Sequence, residues 1–302
     1  MKQNVMQQEG FYETIEITNK DNMAVRFLYN TVPGRLLLGL LIKTPVSKLA
    51  GSVLGSRASR VLIRGFVKRN NIKMEEFKDV RYRSFNDFFT REIDMQRRPF
   101  PNNEQDLAAP CDGKLSAYPI AEDSVFHIKN STYSVSDLLQ DENLAAEYLG
   151  GTCLIIRLTP DDYHRYSYID DGEVLQQKKI RGKLHSVRPI SQHKVNVFTQ
   201  NSREFALMQT KNFGKVVQME VGALFVGRIT NNSNVSEIRR GVEKGMFQFG
   251  GSTVIMLFQP GSVKLDEAIR ENTLRDKETI VRMGHKIGER KGMIIRHGAI
   301  ER

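Results

Sequence analysis

The sequence predicts an α+β protein: a mainly antiparallel β barrel or sandwich core, preceded by an N-terminal helical, membrane-associating region. Three observations carry this. After Leu107, short apolar runs such as TCLIIRL (152–158) and STVIMLF (252–258) follow one another closely, separated by Gly, Asn, Asp and Pro, which is the pattern of adjacent strands. Before residue 100, apolar residues recur at helical spacing, as in Leu36, Leu37, Leu40 and Leu41. Between Asp21 and Glu75 there is no acidic residue, while ten basic ones fall there, and a block of one sign points to a polyanionic partner.

Taken in order, residues 1–100 form the N-terminal mixed and helical region and residues 101–302 the β-rich core. YETIEIT (12–18) alternates like a strand. The apolar run from Leu36 to Ile42 is far shorter than the roughly 20 residues a spanning helix needs, so it suits an interface rather than a crossing. Pro45 interrupts, and a second helix is expected from about Ser47. Arg57, Arg60, Arg64 and Lys68 then fall on one helical face. Ser84 is placed to cap a helix carrying Phe88 and Phe89. In the core, TCLIIRL, NVFTQ, VVQMEVGALFVGRI and STVIMLF read as strands, with one helical interruption at SVSDLLQDENLAAEYL. After Asp266 a charged helix and a loose end are expected.

The apolar fraction of 40% and charged fraction of 26% are those of a folded chain. The net charge is +10, and the ten basic residues of the acid-free block equal that excess. Leucines beside arginines, without any nucleic-acid motif, favour anionic lipid over nucleic acid as the partner. Two cysteines in 302 residues make no disulfide framework and suggest a reducing compartment; no CxxC pattern suggests a metal. The first residues have no apolar core and do not read as a signal peptide.

Three short segments can carry chemistry. Gly250-Gly251-Ser252-Thr253 opens an apolar strand; taken alone it is a tight turn, and its sharper reading is a self-cleavage site. Two glycines let the backbone bend, so that the carbonyl of Gly251 can meet the hydroxyl of Ser252. Such a step needs a base near the serine and donors for the oxyanion. Asp112 follows Pro110-Cys111 and precedes Gly113, ordinarily a turn. His164 stands in Thr159-Pro-Asp-Asp-Tyr-His-Arg-Tyr166, among polar neighbours that can tune it.

Together these segments resemble the phosphatidylserine decarboxylases. Phe85-Asn-Asp-Phe-Phe-Thr-Arg91 with Arg98-Pro99, Asn201-Ser-Arg-Glu204, Met219-Glu-Val-Gly-Ala223 and Gly241-Val-Glu-Lys-Gly-Met-Phe247 support the match, which covers about residues 80–265. The resemblance implies cutting between Gly251 and Ser252 into a β chain, 1–251, and an α chain, 252–302, with Ser252 becoming a covalent pyruvoyl group. It implies a Schiff base between that group and the amine of phosphatidylserine, loss of carbon dioxide and release of phosphatidylethanolamine. It assigns Asp112 to the relay that activates Ser252 and His164 to protonation during decarboxylation. The acid-free stretch 22–74 with its leucines leads separately to an expectation of peripheral attachment to an anionic membrane surface on the cytoplasmic side, and a homodimer is one expected assembly. One departure stands out. Many members carry a second histidine, the processing base, three residues after the first; here that position is Ser167, whose hydroxyl is no base near neutral pH. His185 is the candidate replacement. The rival readings are a non-enzymatic basic lipid-binding module with a degenerate core and a pyruvoyl decarboxylase of a soluble amino acid.

Overall fold

The computed structural model describes residues 12–16, 23–41, 44–121, 125–128, 131–186, 196–223, 228–232, 235–248, 250 and 252–292. The fold is α+β. Nine strands form one sheet, in the order Thr14–Glu16, Lys277–Val281, Gly113–Pro119, Thr152–Leu158, Ser252–Phe258, Gly214–Gly222, Arg203–Thr210, Gly172–Ile180 and Glu237–Ile238, each neighbouring pair antiparallel. The sheet stays open, which corrects the expectation of a barrel. Its two edge strands span only three and two residues and do not pair with each other. Short edges of this kind end a ladder instead of closing it.

The central run Ser252–Phe258 is buried at all seven positions because both faces of the sheet are covered. Ile255 and Leu257 point into one apolar cluster, with Met219, Val221, Tyr133 and Phe198. Val254, Met256 and Phe258 point into the other, with Leu158, Tyr166, Phe247 and Ile287. Alternate side chains serve opposite faces, so a strand covered on both reads as an unbroken apolar run. Over the second face lie two smaller sheets: Ile229–Asn231, Glu243–Phe247 and Arg165–Ser167, then Val263–Leu265, Lys286–Arg290 and Asp106–Ala108.

Several local expectations change. NVFTQ contributes the short helix Val197–Gln200, not a strand, with Val197 and Phe198 buried. The helical interruption is two helices, Val135–Leu139 and Glu142–Ala146, capped by Ser134 and Asp141. After the helix Glu267–Leu274 the chain is no loose end: Lys277–Val281 and Lys286–Arg290 are strands. A charged segment can enter the sheet because Glu278 meets Arg157 there, Nε to Oε1 at 2.9 Å and Nη2 to Oε2 at 2.5 Å.

The N-terminal region holds α1 (Met23–Asn30), α2 (Val32–Leu41), α3 (Thr44–Gly55), α4 (Val61–Arg69) and α5 (Phe85–Phe89). α3 starts at Thr44 and contains Pro45 in its first turn, where a missing N–H costs no helical bond. Ser84 caps α5 as expected, its Oγ accepting the Asp87 N–H at 3.1 Å. α5 is tied to the preceding helices: the Phe85 N–H donates to Ser59 Oγ at 2.9 Å, and Phe66 packs edge-on to Phe85 and Phe88. Among the described residues no helix is long and apolar enough to cross a membrane.

Candidate active site

Ser252 opens the central strand, paired with Leu158 on one side and Gly222 on the other. Its side chain is fully buried, and Oγ has no hydrogen-bond partner among the described residues. A buried hydroxyl without a partner costs free energy and calls for an explanation in chemistry. Gly250, two residues earlier, has φ 142°, a conformation that favours glycine. Gly251 lies outside the described residues, so the predicted scissile bond is located only through Gly250 and Ser252.

His164 is tied through the small sheet to the strand that precedes Ser252 in the chain. Its carbonyl accepts the Phe247 N–H at 2.9 Å, and Phe247 leads into the segment ending at Ser252. The imidazole is fully buried and packs on Phe89, with ring centroids 4.1 Å apart. Nδ1 lies 2.9 Å from the carbonyl of Asp162. A carbonyl can only accept, so Nδ1 carries the hydrogen and Nε2 keeps its lone pair. Nε2 has no partner among the described residues. Burial pulls the His164 pKa down to about 3; the Asp162 contact opposes this and the charge of Arg91 adds to it.

This has a consequence for acid stability. An unfolded chain takes up the proton near pH 6.5, whereas the folded chain resists it until about 3. Between those values the unfolded state binds more protons, so stability falls as pH falls. His185 and His285, whose pKa values burial also lowers, act with the same sign. The melting temperature should therefore drop on acidification below about pH 6.5, and His164→Ala should flatten that slope.

Asp112 sits at the same end of the sheet. Lys114 pairs with Arg157, and the next residue of that strand, Leu158, pairs with Ser252. Gly113, at φ 154°, could not carry a side chain, since a Cβ would lie 2.7 Å from Ile156 Cγ2. The Asp112 carboxylate accepts from Arg98 Nη1 at 2.9 Å and from the Met283 N–H at 2.8 Å. Arg98 also reaches Glu76 at 2.5 Å, and Glu76 meets Arg282 at 3.0 Å. Asp112 thus bonds to neither His164 nor His185 in the uncut chain. The Asp-Gly and Tyr-His segments are joined instead by Lys114, whose Nζ lies 2.7 Å from Asp162 Oδ2 and 2.6 Å from Thr159 Oγ1.

His185 follows the strand Gly172–Ile180 in an irregular segment. Its N–H donates to Asn201 Oδ1 at 2.9 Å, and Asn201 Nδ2 returns bonds to the carbonyls of His185 and Gly222, both at 2.8 Å. Asn201 thereby ties His185 to the residue opposite Ser252. The ring is buried, neither ring nitrogen has a partner among the described residues, and burial lowers its pKa. Ser167 points elsewhere: its N–H and hydroxyl both donate to the Pro110 carbonyl, at 2.9 and 3.2 Å.

Sequence reasoning assigned no role to Arg91, Arg98, Lys114, Asn201 or His285. Arg91, Arg98 and Asn201 lie inside the quoted motifs and Lys114 two residues after Asp112, where only their neighbours drew attention. His285 lies across the Asp112 loop, its carbonyl accepting the Ala109 N–H at 2.8 Å, in a tail that offered no signal.

A family model described as phosphatidylserine decarboxylase matches residues 85–289. The phosphatidylserine decarboxylase proenzyme 2 of Clostridium acetobutylicum is 47% identical over 89% of this chain and 92% of its own length. The proenzymes of Ruminiclostridium cellulolyticum and Clostridium novyi are 43% and 40% identical, over 86% and 93% of this chain and 89% and 96% of theirs. A match over most of the β core and at this identity is no accident of composition: the chain belongs to the phosphatidylserine decarboxylase family.

Proposed function

We propose that this chain is the precursor of a pyruvoyl-dependent phosphatidylserine decarboxylase, and that it cuts itself between Gly251 and Ser252. The observation that carries the reading is the buried, unpartnered Oγ of Ser252 at the start of a strand, preceded by Gly250 at φ 142°. A base takes the Oγ proton, and Oγ attacks the carbonyl carbon of Gly251. The peptide nitrogen leaves that carbon, and an ester replaces the amide. Elimination breaks the Cβ–Oγ bond, freeing the carboxylate of Gly251 and leaving a dehydroalanine. Water then releases ammonia, and the pyruvoyl group remains at position 252.

Ser252 fits this origin, since its main chain is held between two strands while its side chain bonds to nothing among the described residues. The pyruvoyl carbonyl supplies the electron sink for loss of carbon dioxide from phosphatidylserine. His164 holds or returns a proton at Nε2, and Phe89 keeps water from its ring face. Phosphatidylethanolamine is the product. The family match disfavours a non-enzymatic lipid-binding module. The test is release of carbon dioxide from phosphatidylserine in mixed micelles. Activity should be independent of added pyridoxal phosphate and should be lost on reduction with cyanoborohydride in the presence of substrate. Activity that needs added pyridoxal phosphate, or is indifferent to reduction, would contradict the pyruvoyl assignment.

The same reading includes attachment to the cytoplasmic face of the membrane. Leu36, Leu49, Val53 and Val61 are exposed at 73, 68, 59 and 82%, with Leu37 and Leu62 nearby in sequence. Exposed Arg35, Arg57, Arg60, Arg64 and Lys68 share these helices and the turn before α4. Apolar insertion beside basic residues suits anionic lipid, each basic residue near the surface adding roughly 1 kcal/mol. In flotation, binding should rise with the anionic fraction of the vesicles and weaken in high salt. Binding indifferent to both would count against the electrostatic part.

A further inference from the structure

Arg91 is a buried cation with no carboxylate in ion-pair contact among the described residues, although the charges of Asp112 and Asp162 act on it from farther off. Only 2% of it is exposed. Its guanidinium lies 4.3 Å from the ring centroid of Phe77 and 5.1 Å from that of Phe88. Nη2 makes long hydrogen bonds, 3.3 Å each, to the carbonyls of Asp161 and Asp162. Among the described residues Nε and Nη1 have no partner. Leaving a guanidinium this dry and this under-bonded is costly unless an anion completes it. Burial lowers its pKa accordingly.

Its position relates it to the chemistry. The Asp162 carbonyl accepts from both Arg91 Nη2 and His164 Nδ1, so guanidinium and imidazole share one oxygen. Arg91 Nε and Nη1 and His164 Nε2 are thus buried on residues that share one acceptor, without partners among the described residues. Resting on the decarboxylase reading, we infer that Arg91 binds the phosphodiester of the lipid headgroup and so sets where the headgroup lies against His164 and position 252. The substrate offers a second anion, its carboxylate, but chemistry disfavours that choice. A cation fixed on the carboxylate would stabilise the charge that must be lost as neutral carbon dioxide leaves, which opposes the reaction. The phosphodiester keeps its charge throughout, so holding it orients the headgroup without resisting the step. The rigid fork of a guanidinium matches a phosphate's paired oxygens better than an ammonium does.

The test uses mature, cut enzyme, with rates expressed per cut chain, on dihexanoyl phosphatidylserine. Two inhibitors separate the anions: glycerophosphoethanolamine has the phosphodiester and no carboxylate, and O-acetylserine has the carboxylate and no phosphate. Arg91→Gln should raise KM about ten- to hundredfold, the worth of a lost charged hydrogen bond, with kcat within about threefold. It should weaken inhibition by glycerophosphoethanolamine by a similar factor and leave O-acetylserine unchanged. Arg91→Lys should fall between wild type and Arg91→Gln, and it carries the test alone if the glutamine variant does not fold. A fall in kcat at constant KM, or unchanged glycerophosphoethanolamine inhibition, would overturn the inference. So would a loss confined to O-acetylserine. Failure of wild type to release carbon dioxide would instead sink the decarboxylase reading on which the inference rests.

Discussion

Ser252→Ala is expected to leave one uncut chain that releases no carbon dioxide. The substitution removes a single buried oxygen that bonds to nothing among the described residues, so it should fold and melt near the wild-type temperature. Yet it removes the attacking atom of the acyl shift and the precursor of the carbonyl cofactor together. Both assays should fall to background, and no added serine or pyruvate should restore them. A cut Ser252→Ala chain would mean that some other nucleophile or a protease makes the break. An uncut but active one would mean that position 252 carries no cofactor.

The second large effect separates the two histidines. A useful base has a pKa near the working pH. His164, with its pKa pulled to about 3, is neutral and a weak base in the uncut chain. His185 is lowered too, has no partner for either ring nitrogen among the described residues, and is linked through Asn201 to the residue paired with Ser252. His185→Ala is therefore expected to stay uncut. His164→Ala is expected to be cut, at least slowly, while its carbon dioxide release per cut chain falls by roughly 10²–10⁴-fold. Chain cutting on a denaturing gel and carbon dioxide release read the two roles apart. Normal maturation of His185→Ala beside an uncut His164→Ala would reverse the assignment. Asp112→Ala should also stop cutting. The carboxylate holds Arg98 and the Met283 N–H, and its loss would leave Arg98 with Glu76 alone.

Much of this site is legible in the sequence because its parts are local. Two glycines before a serine, a capped helix at Ser84 and an apolar run at 252–258 each declare themselves within a few residues. What was not legible depends on partners far along the chain. Alternation reveals which side chains face a core but not which edges meet, so an open sheet and a barrel read alike. The strand Lys277–Val281 looks like a charged tail until Arg157, 121 positions away, neutralises Glu278. Asp112 suggests a histidine partner by analogy, whereas the fold delivers Arg98 and a backbone N–H from Met283. Arg91 appears in the sequence only as the end of a supporting motif, and burial among Phe77, Phe88 and the carbonyls before His164 is what marks it out.

The most direct test of self-processing is the intact mass of the purified, denatured protein. The account predicts two pieces, residues 1–251 and residues 252–302. The smaller should be lighter than its serine-started sequence by one ammonia, the hydroxymethyl becoming a methyl as the amine becomes a carbonyl, with an N-terminus closed to stepwise sequencing. A single mass for residues 1–302, from a preparation that releases carbon dioxide from phosphatidylserine, would contradict it.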